Sequence, residues 1–158
     1  QSRSSAASDV YKRQGYHRAL CVRSFVHRGT PDRPGLVLGL DRGGSCHGVA
    51  FRVRPEDRDR VTGYLREREL VTNVYLETTR KVRLDDGRDV RALAYVVDRS
   101  HEQYAGALSI EDAQLQVSGA VGQSGPNEEY VINTVDHLRT LRIRDHHLEA
   151  VVHRLNAL

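Results

Sequence analysis

Tryptophan and methionine are absent from this 158-residue chain, and phenylalanine and cysteine occur twice each. Without large rings, the core has to be assembled from Val, Leu, Ala and Tyr. The two cysteines, Cys21 and Cys46, make no disulfide framework and lack metal-ligand spacing. Both fall in apolar, strand-like text, which predicts buried thiols in a reducing, cytoplasmic compartment. No apolar run approaches the ~18 residues of a membrane-crossing helix, and the first residues lack the apolar stretch of a signal peptide. Lysine is nearly missing too: Lys12 and Lys81 are the only two among 24 basic residues. Arginine-rich text serves nucleic-acid recognition when it forms a basic stripe interleaved with aromatics. Here acids alternate with bases, as in Arg66-Glu67-Arg68-Glu69, and the formal charge is only +3. Neither nucleic acid nor a membrane is expected as a partner.

Residues 1–14 differ from all that follows. They are small and polar, lack usable periodicity, and resemble an adapter-derived leader of the kind found in translated environmental reads. With methionine absent even at position one, this predicts that the chain starts inside its reading frame. Residues 1–14 are then a non-native or disordered leader, and residues 15–158 a single domain, as the length suits.

Beyond Gly15 the pattern is readable. Ala19 to His27 has strand character, and Arg28 to Gly35 is a loop by its Gly and Pro content. Leu36 to Leu40 and Cys46 to Val53 are expected to pair across a turn at Asp41-Arg42-Gly43-Gly44. Pro55, followed by Glu56 and Asp57, opens a helix that runs to about Glu69. Thr72 to Leu84 and Asp89 to Val97 form a second hairpin about Asp85-Asp86-Gly87-Arg88. Helices follow at about 109–121, 127–141 and 145–155, the first with a weak capping signal at Ser109 and Asp112. Strands early and helices late give an α+β domain with a largely antiparallel, barrel-like sheet. His146, Glu149 and His153 share a face of the last helix at metal-ligand spacing. A solvated terminal helix face explains them equally well, and no metal is expected.

Several stretches together resemble the ChaC family. They are Gly15-Tyr16-His17-Arg18-Ala19-Leu20-Cys21, His27-Arg28-Gly29-Thr30-Pro31, Pro34-Gly35, Gly48-Val49-Ala50-Phe51-Arg52-Val53, Tyr64-Leu65, Arg68-Glu69, and Ser124-Gly125-Pro126-Asn127-Glu128-Glu129-Tyr130. The resemblance covers residues 15 to 155 in order. It implies a γ-glutamylcyclotransferase-like mixed barrel with flanking helices. The activity it implies is release of 5-oxoproline and cysteinylglycine from glutathione, with no cofactor. In that reaction the α-amine attacks the γ-carbonyl of its own molecule, so holding the folded conformer supplies much of the rate. One carboxylate moves the proton, and donors stabilise the oxyanion.

The carboxylate matching the family position is Glu69. On a helical wheel Val61, Tyr64 and Leu65 define a buried stripe, with Glu69 at one margin and Glu67 farther round on the other. Partial desolvation at such a margin favours base strength. Arg68 falls near the stripe's centre, where an unpaired charge is costly; pairing with a carboxylate and leaving the helix direction at its terminus are both open. Arg18, His27 and Arg28 lie on family-like segments, and a guanidinium there suits a substrate carboxylate; solvated strand and loop charge is the plainer reading. Tyr130 matches a family tyrosine near the substrate. Asn127 serves either the substrate or the helix as its N-cap, the latter with Tyr130 in the core.

The sequence departs from the family in one respect. ChaC proteins carry an N-terminal strand and a Tyr-Gly-Ser-Leu loop whose backbone N–H groups cradle the γ-glutamyl moiety, and the leader occupies that place here. Impaired turnover is expected of the chain as written. The rival from another class is a non-catalytic ligand-binding or interaction module on the same fold. Retention of Glu69 favours the enzyme.

Overall fold

Aliphatic and β-branched residues run through two 17-residue strands, β1 (Ser8–Ser24) and β2 (Gly35–Phe51). The loop over 25–34 joins them, and Gly29, Pro31 and Pro34 keep it irregular. The computed structural model describes residues 8–157, with the backbone alone for residues 8–14. Residues 1–7 of the expected leader lie outside the described residues, and residues 8–14 form the opening of β1.

After β2 a 3₁₀ turn, Pro55–Asp57, leads into α1 (Arg58–Glu69). The hairpin β3 (Tyr75–Leu84) and β4 (Asp89–Val97) follows as expected. Its turn is closed by Gly87 N donating to Leu84 O at 3.0 Å, with Gly87 at φ +86°. The second half comprises α2 (Ile110–Val117), the short strands β5 (Val121–Gly122) and β6 (Gly125–Pro126), α3 (Asn127–Thr140) and α4 (His146–Asn156).

The sheet has the order β2-β1-β3-β4, and β5 pairs with β6 in a separate two-stranded ribbon. This corrects the expected barrel. Closure needs the two outer strands to pair with consistent tilt and stagger, whereas β2 and β4 stand at the two ends of an open order, and no barrel closes among the described residues. The expected turn at Asp41 to Gly44 is also corrected, because β2 runs straight through it. Gly43 (φ +100°) and Gly44 (φ +62°) take left-handed backbone inside the strand, where a residue with a Cβ is strained.

Two compact units divide the chain. One holds the described residues up to His17 together with Arg42–Asp98; the other holds Arg18–Asp41 and the residues from Arg99 onward. The second unit contains the main apolar core. α4 contributes Leu148, Val151, Val152 and Leu155 at helical spacing, α3 contributes Val131, Val135 and Leu138, α2 contributes Ala113 and Val117, and the strands add Leu20 and Leu36. Ser109 Oγ accepts from Asp112 N and caps α2, and Asp145 accepts from Leu148 N and caps α4.

In the first unit the apolar burial is thinner. Val74, Val82, Leu84, Val96 and Val97 are buried, yet α1 has no buried residue and Tyr64 stays 58% exposed. The stripe of Val61, Tyr64 and Leu65 is therefore no buried face, since a helical wheel reports spacing but not whether anything covers it. Charge does part of the work instead. In the register that sets Arg83 opposite Asp89, the Asp89 carboxylate accepts from Arg83 Nε at 2.9 Å and pairs with Lys81 Nζ at 2.8 Å. These two cations hold the Asp89 carboxyl well below the usual carboxylate range.

Two outcomes follow. An alanine Cβ at Gly35 would overlap the Arg28 carbonyl oxygen and stand 2.7 Å from Asn127 Oδ1. Gly35→Ala is expected to lose about 1–3 kcal/mol, lowering Tm by roughly 2–4 °C per kcal/mol. In Gly63→Ala the new methyl meets nothing within 4 Å, and helix propensity should raise Tm; equal losses in both variants would refute the steric account. For Asp89 the folded value lies below the unfolded one, so its contribution is complete above the ordinary carboxylate range, about pH 4. It is lost as pH falls through the folded value. The Tm deficit of Asp89→Asn should therefore be largest at neutral pH and shrink below about pH 4, and a deficit constant down to pH 2 would show that the pairs contribute nothing.

Candidate active site

Glu69 is the last residue of α1. Leu70 N still donates to Arg66 O at 3.0 Å; beyond it Asn73 takes a left-handed φ of +58° and the chain enters β3 past the buried Val74. The Glu69 side chain is 31% exposed, and Arg68 Nε lies 3.8 Å from its Oε1. Arg68 itself is well exposed, which corrects its placement at the centre of a buried stripe. Glu67, the competing carboxylate, is exposed.

Three residues beside this helix end escaped sequence reasoning. Arg66 Nε and Nη2 donate to the two Glu77 oxygens at 2.8 Å each, and Tyr95 Oη donates to Glu77 Oε2 at 2.9 Å. The Arg66 fork, then the Tyr95 hydroxyl, holds the Glu77 carboxyl down to about 2. Burial, then the Glu77 carboxylate, pushes the Tyr95 phenol up to about 12, and the Glu69 charge adds to that push. A usable signal exists: counting outward from the Asp85–Arg88 turn sets Glu77 opposite Tyr95.

In the second unit, three expected residues meet at the start of α3. The Arg28 guanidinium donates to Pro126 O at 3.2 Å and lies 5.5 Å from the centre of the Tyr130 ring. Tyr130 Oη accepts from Leu38 N at 3.0 Å. Asn127 is fully buried; its Oδ1 accepts from Leu36 N and its Nδ2 donates to Leu36 O, both at 2.7 Å. The N-cap position belongs to Pro126, so Asn127 bridges to β2 rather than capping its helix. His27 Nδ1 and Ser124 Oγ are 3.1 Å apart.

Close backbone approach shapes the loop that carries Arg28. Gln123 N and Ser124 N donate to Val26 O and His27 O, each at 2.8 Å. A Cβ on Gly122 would stand 2.6 Å from Arg28 N, and one on Gly29 would lie 2.6 Å from Ser24 O. Only glycine leaves room for either approach.

Arg18 stands apart from this group. Its Nη1 donates to Asp145 Oδ2 at 3.3 Å, with both side chains largely buried, so it reinforces the cap of α4. Glu69 belongs to the first unit and the other four expected site residues to the second. Among the described residues no group of His, Cys, Asp and Glu is arranged to hold a metal. Glu149, the central member of the His146, Glu149 and His153 spacing, is held by Arg144 at 2.7 and 2.6 Å.

A second network also went unread. Asp41, expected in a turn, is 3% exposed; it accepts from Arg99 Nε and Tyr104 Oη, both at 2.7 Å. Burial, then the Asp41 charge, pushes the neighbouring Cys21 thiol up to about 12. No local pattern signals this cluster, because Arg99 and Tyr104 follow Asp41 by 58 and 63 residues.

Comparison with known proteins places these features. A glutathione-specific gamma-glutamylcyclotransferase of Escherichia coli is 34% identical over 131 residues, covering 83% of this chain and 57% of that protein. Its mouse relative, glutathione-specific gamma-glutamylcyclotransferase 1, is 33% identical over 151 residues, covering 92% of this chain and 68% of the relative. The chain thus spans little more than half the length of the bacterial protein. The crystal structure of a yeast γ-glutamyl cyclotransferase specific to glutathione superposes with a TM-score of 0.85 at 20% identity, covering 99% of this chain and 90% of that one. That likeness shows a shared α+β fold. No helix among the described residues is long and apolar enough to cross a membrane. The family model for ChaC-like proteins matches residues 7–158, and with relatives of this identity across most of its length the chain belongs to the ChaC-like family.

Proposed function

We propose that this chain is a γ-glutamylcyclotransferase acting on glutathione, a lyase-type enzyme in which Glu69 is the general acid/base. The observation that carries the reading is a half-buried carboxylate on the last turn of α1, in a chain whose relatives are named glutathione-specific gamma-glutamylcyclotransferases. The chemistry balances within the substrate. The α-amine nitrogen bonds to the γ-carbonyl carbon, the bond from that carbon to the cysteinyl nitrogen breaks, and one proton passes from amine to leaving nitrogen. Glu69 takes that proton and returns it. Ring closure is intramolecular, so orientation supplies much of the rate, and no step calls for a metal, a redox cofactor or a covalent nucleophile.

Arg28 is proposed to hold a substrate carboxylate. Its guanidinium is anchored by the Pro126 carbonyl and the Tyr130 ring, beside the start of a 14-residue helix whose dipole favours negative charge. Tyr130 is proposed as the polar edge of the same subsite. Asn127 and Arg18 act indirectly, the first by fixing the start of α3 on Leu36, the second by securing the α4 cap. The proposed setting is cytoplasmic, in keeping with the buried Cys21 thiol, and neither nucleic acid nor a membrane is proposed as a partner.

The test follows 5-oxoproline release from glutathione. Glu69→Gln keeps the shape of the side chain but cannot accept the amine proton, so the expected loss in kcat is about 10²–10⁴-fold. Glutathione affinity and Tm should change little, and Glu67→Gln should stay near the parent. A dead Glu67→Gln beside an active Glu69→Gln would move the base by two residues, and full activity in both variants would sink the carboxylate mechanism. A chelator should leave turnover unchanged; a loss restored by zinc would contradict the metal-free ring closure.

A further inference from the structure

We infer that Arg66, Glu77 and Tyr95 are positioning residues, fixing the last turn of α1 and with it Glu69. The inference rests on the reading of Glu69 as the base. α1 has little else to hold it. None of its residues is buried, its N-terminus has no side-chain cap, and its C-terminal turn runs out through the left-handed Asn73. A base on such a helix needs a tether that defines both position and angle.

The tether is built from three elements. Glu77 on β3 and Tyr95 on β4 face each other directly in the ladder, so their spacing is set by the backbone. Tyr95 Oη donates to Glu77 Oε2 at 2.9 Å and helps to hold the carboxylate. Arg66 engages both of its oxygens, at 2.8 Å each. A two-pronged contact of this kind constrains the guanidinium in orientation as well as distance. Arg66 precedes Glu69 by three residues, which places the two on neighbouring positions of one helix face.

The protonation states suit a permanent tether. Glu77, held down to about 2, is a carboxylate throughout the neutral range, and Tyr95, pushed up to about 12, remains a donor. Arg68, the other cation near Glu69, makes only a looser contact at 3.8 Å. Exposed ion pairs contribute little to global stability, so a merely structural role would leave turnover nearly unchanged. A positioning role is felt in kcat, where misplacement by about 1 Å costs roughly 10²-fold.

The experiment compares Glu77→Gln, Arg66→Lys and Arg66→Gln in the full chain, with glutathione as substrate. Glu77→Gln and Arg66→Gln should lower kcat at least about tenfold, with KM changed less than about threefold and Tm within about 2 °C. Arg66→Lys keeps the charge but not the fork and should fall between them and the parent. Added to Glu69→Gln, Glu77→Gln should cause no further loss, because its effect passes through Glu69. Independently of turnover, amide hydrogen exchange over residues 66–70 should quicken about tenfold in Glu77→Gln. Unchanged exchange there, or a full further loss in the Glu69→Gln background, overturns the inference. Full turnover in Glu69→Gln removes the base reading by itself, and the exchange measurement then still decides whether the tether holds the turn.

Discussion

A carboxamide has one accepting and one donating side, and Asn127 turns both onto the peptide groups of Leu36. Neither residue is exposed at all. A bond left unmade there would strand polar groups away from water, so α3 has to begin at one fixed place against β2. The rest of the second unit follows from that registration. Three residues on, Tyr130 reaches the amide of Leu38, the next residue on the same face of β2. One residue back, the Pro126 carbonyl receives Arg28. A helix step of three is matched to a strand step of two, and the arginine loop is drawn in with them.

The two units are held together internally by different forces. The second has three helices packed around aliphatic residues at helical spacing, and its buried Asn127 and Asp41 side chains are paired. The first leans on guanidinium and ammonium contacts made across a hairpin and onto a helix with no fully buried residue. Apolar packing is non-directional, whereas a forked ion pair specifies an angle. The carboxylate proposed as the base stands in the unit that relies more on such directional contacts.

Much of the secondary structure was legible because its causes are local. The Asp85–Arg88 turn, the apolar spacing of α3 and α4, and Pro55 ahead of α1 each announce themselves within a few residues. What stayed hidden depends on partners far along the chain. Asp41-Arg42-Gly43-Gly44 is written like a turn, yet Asp41 is buried against Arg99 and Tyr104. Asn127 satisfies the chemistry of an N-cap, but its actual partner lies 91 residues away. The wheel of α1 displays a stripe, and no property of the helix reveals that Tyr64 remains uncovered. Barrel closure failed for the same reason, since the pairing of outer strands leaves no local mark. Family resemblance singled out Glu69, which spacing alone did not separate clearly from Glu67.

The glycines around Arg28 have an evolutionary consequence. Gly29, Gly35 and Gly122 each lie against neighbouring backbone closely enough that a single added carbon collides. None of them carries a functional group, so a search for chemistry passes over all three. They nevertheless close three positions around Arg28 to divergence, because any amino-acid substitution of a glycine adds a side chain. Substitution here is therefore left to exposed side chains such as His27, while the backbone path beneath stays unchanged.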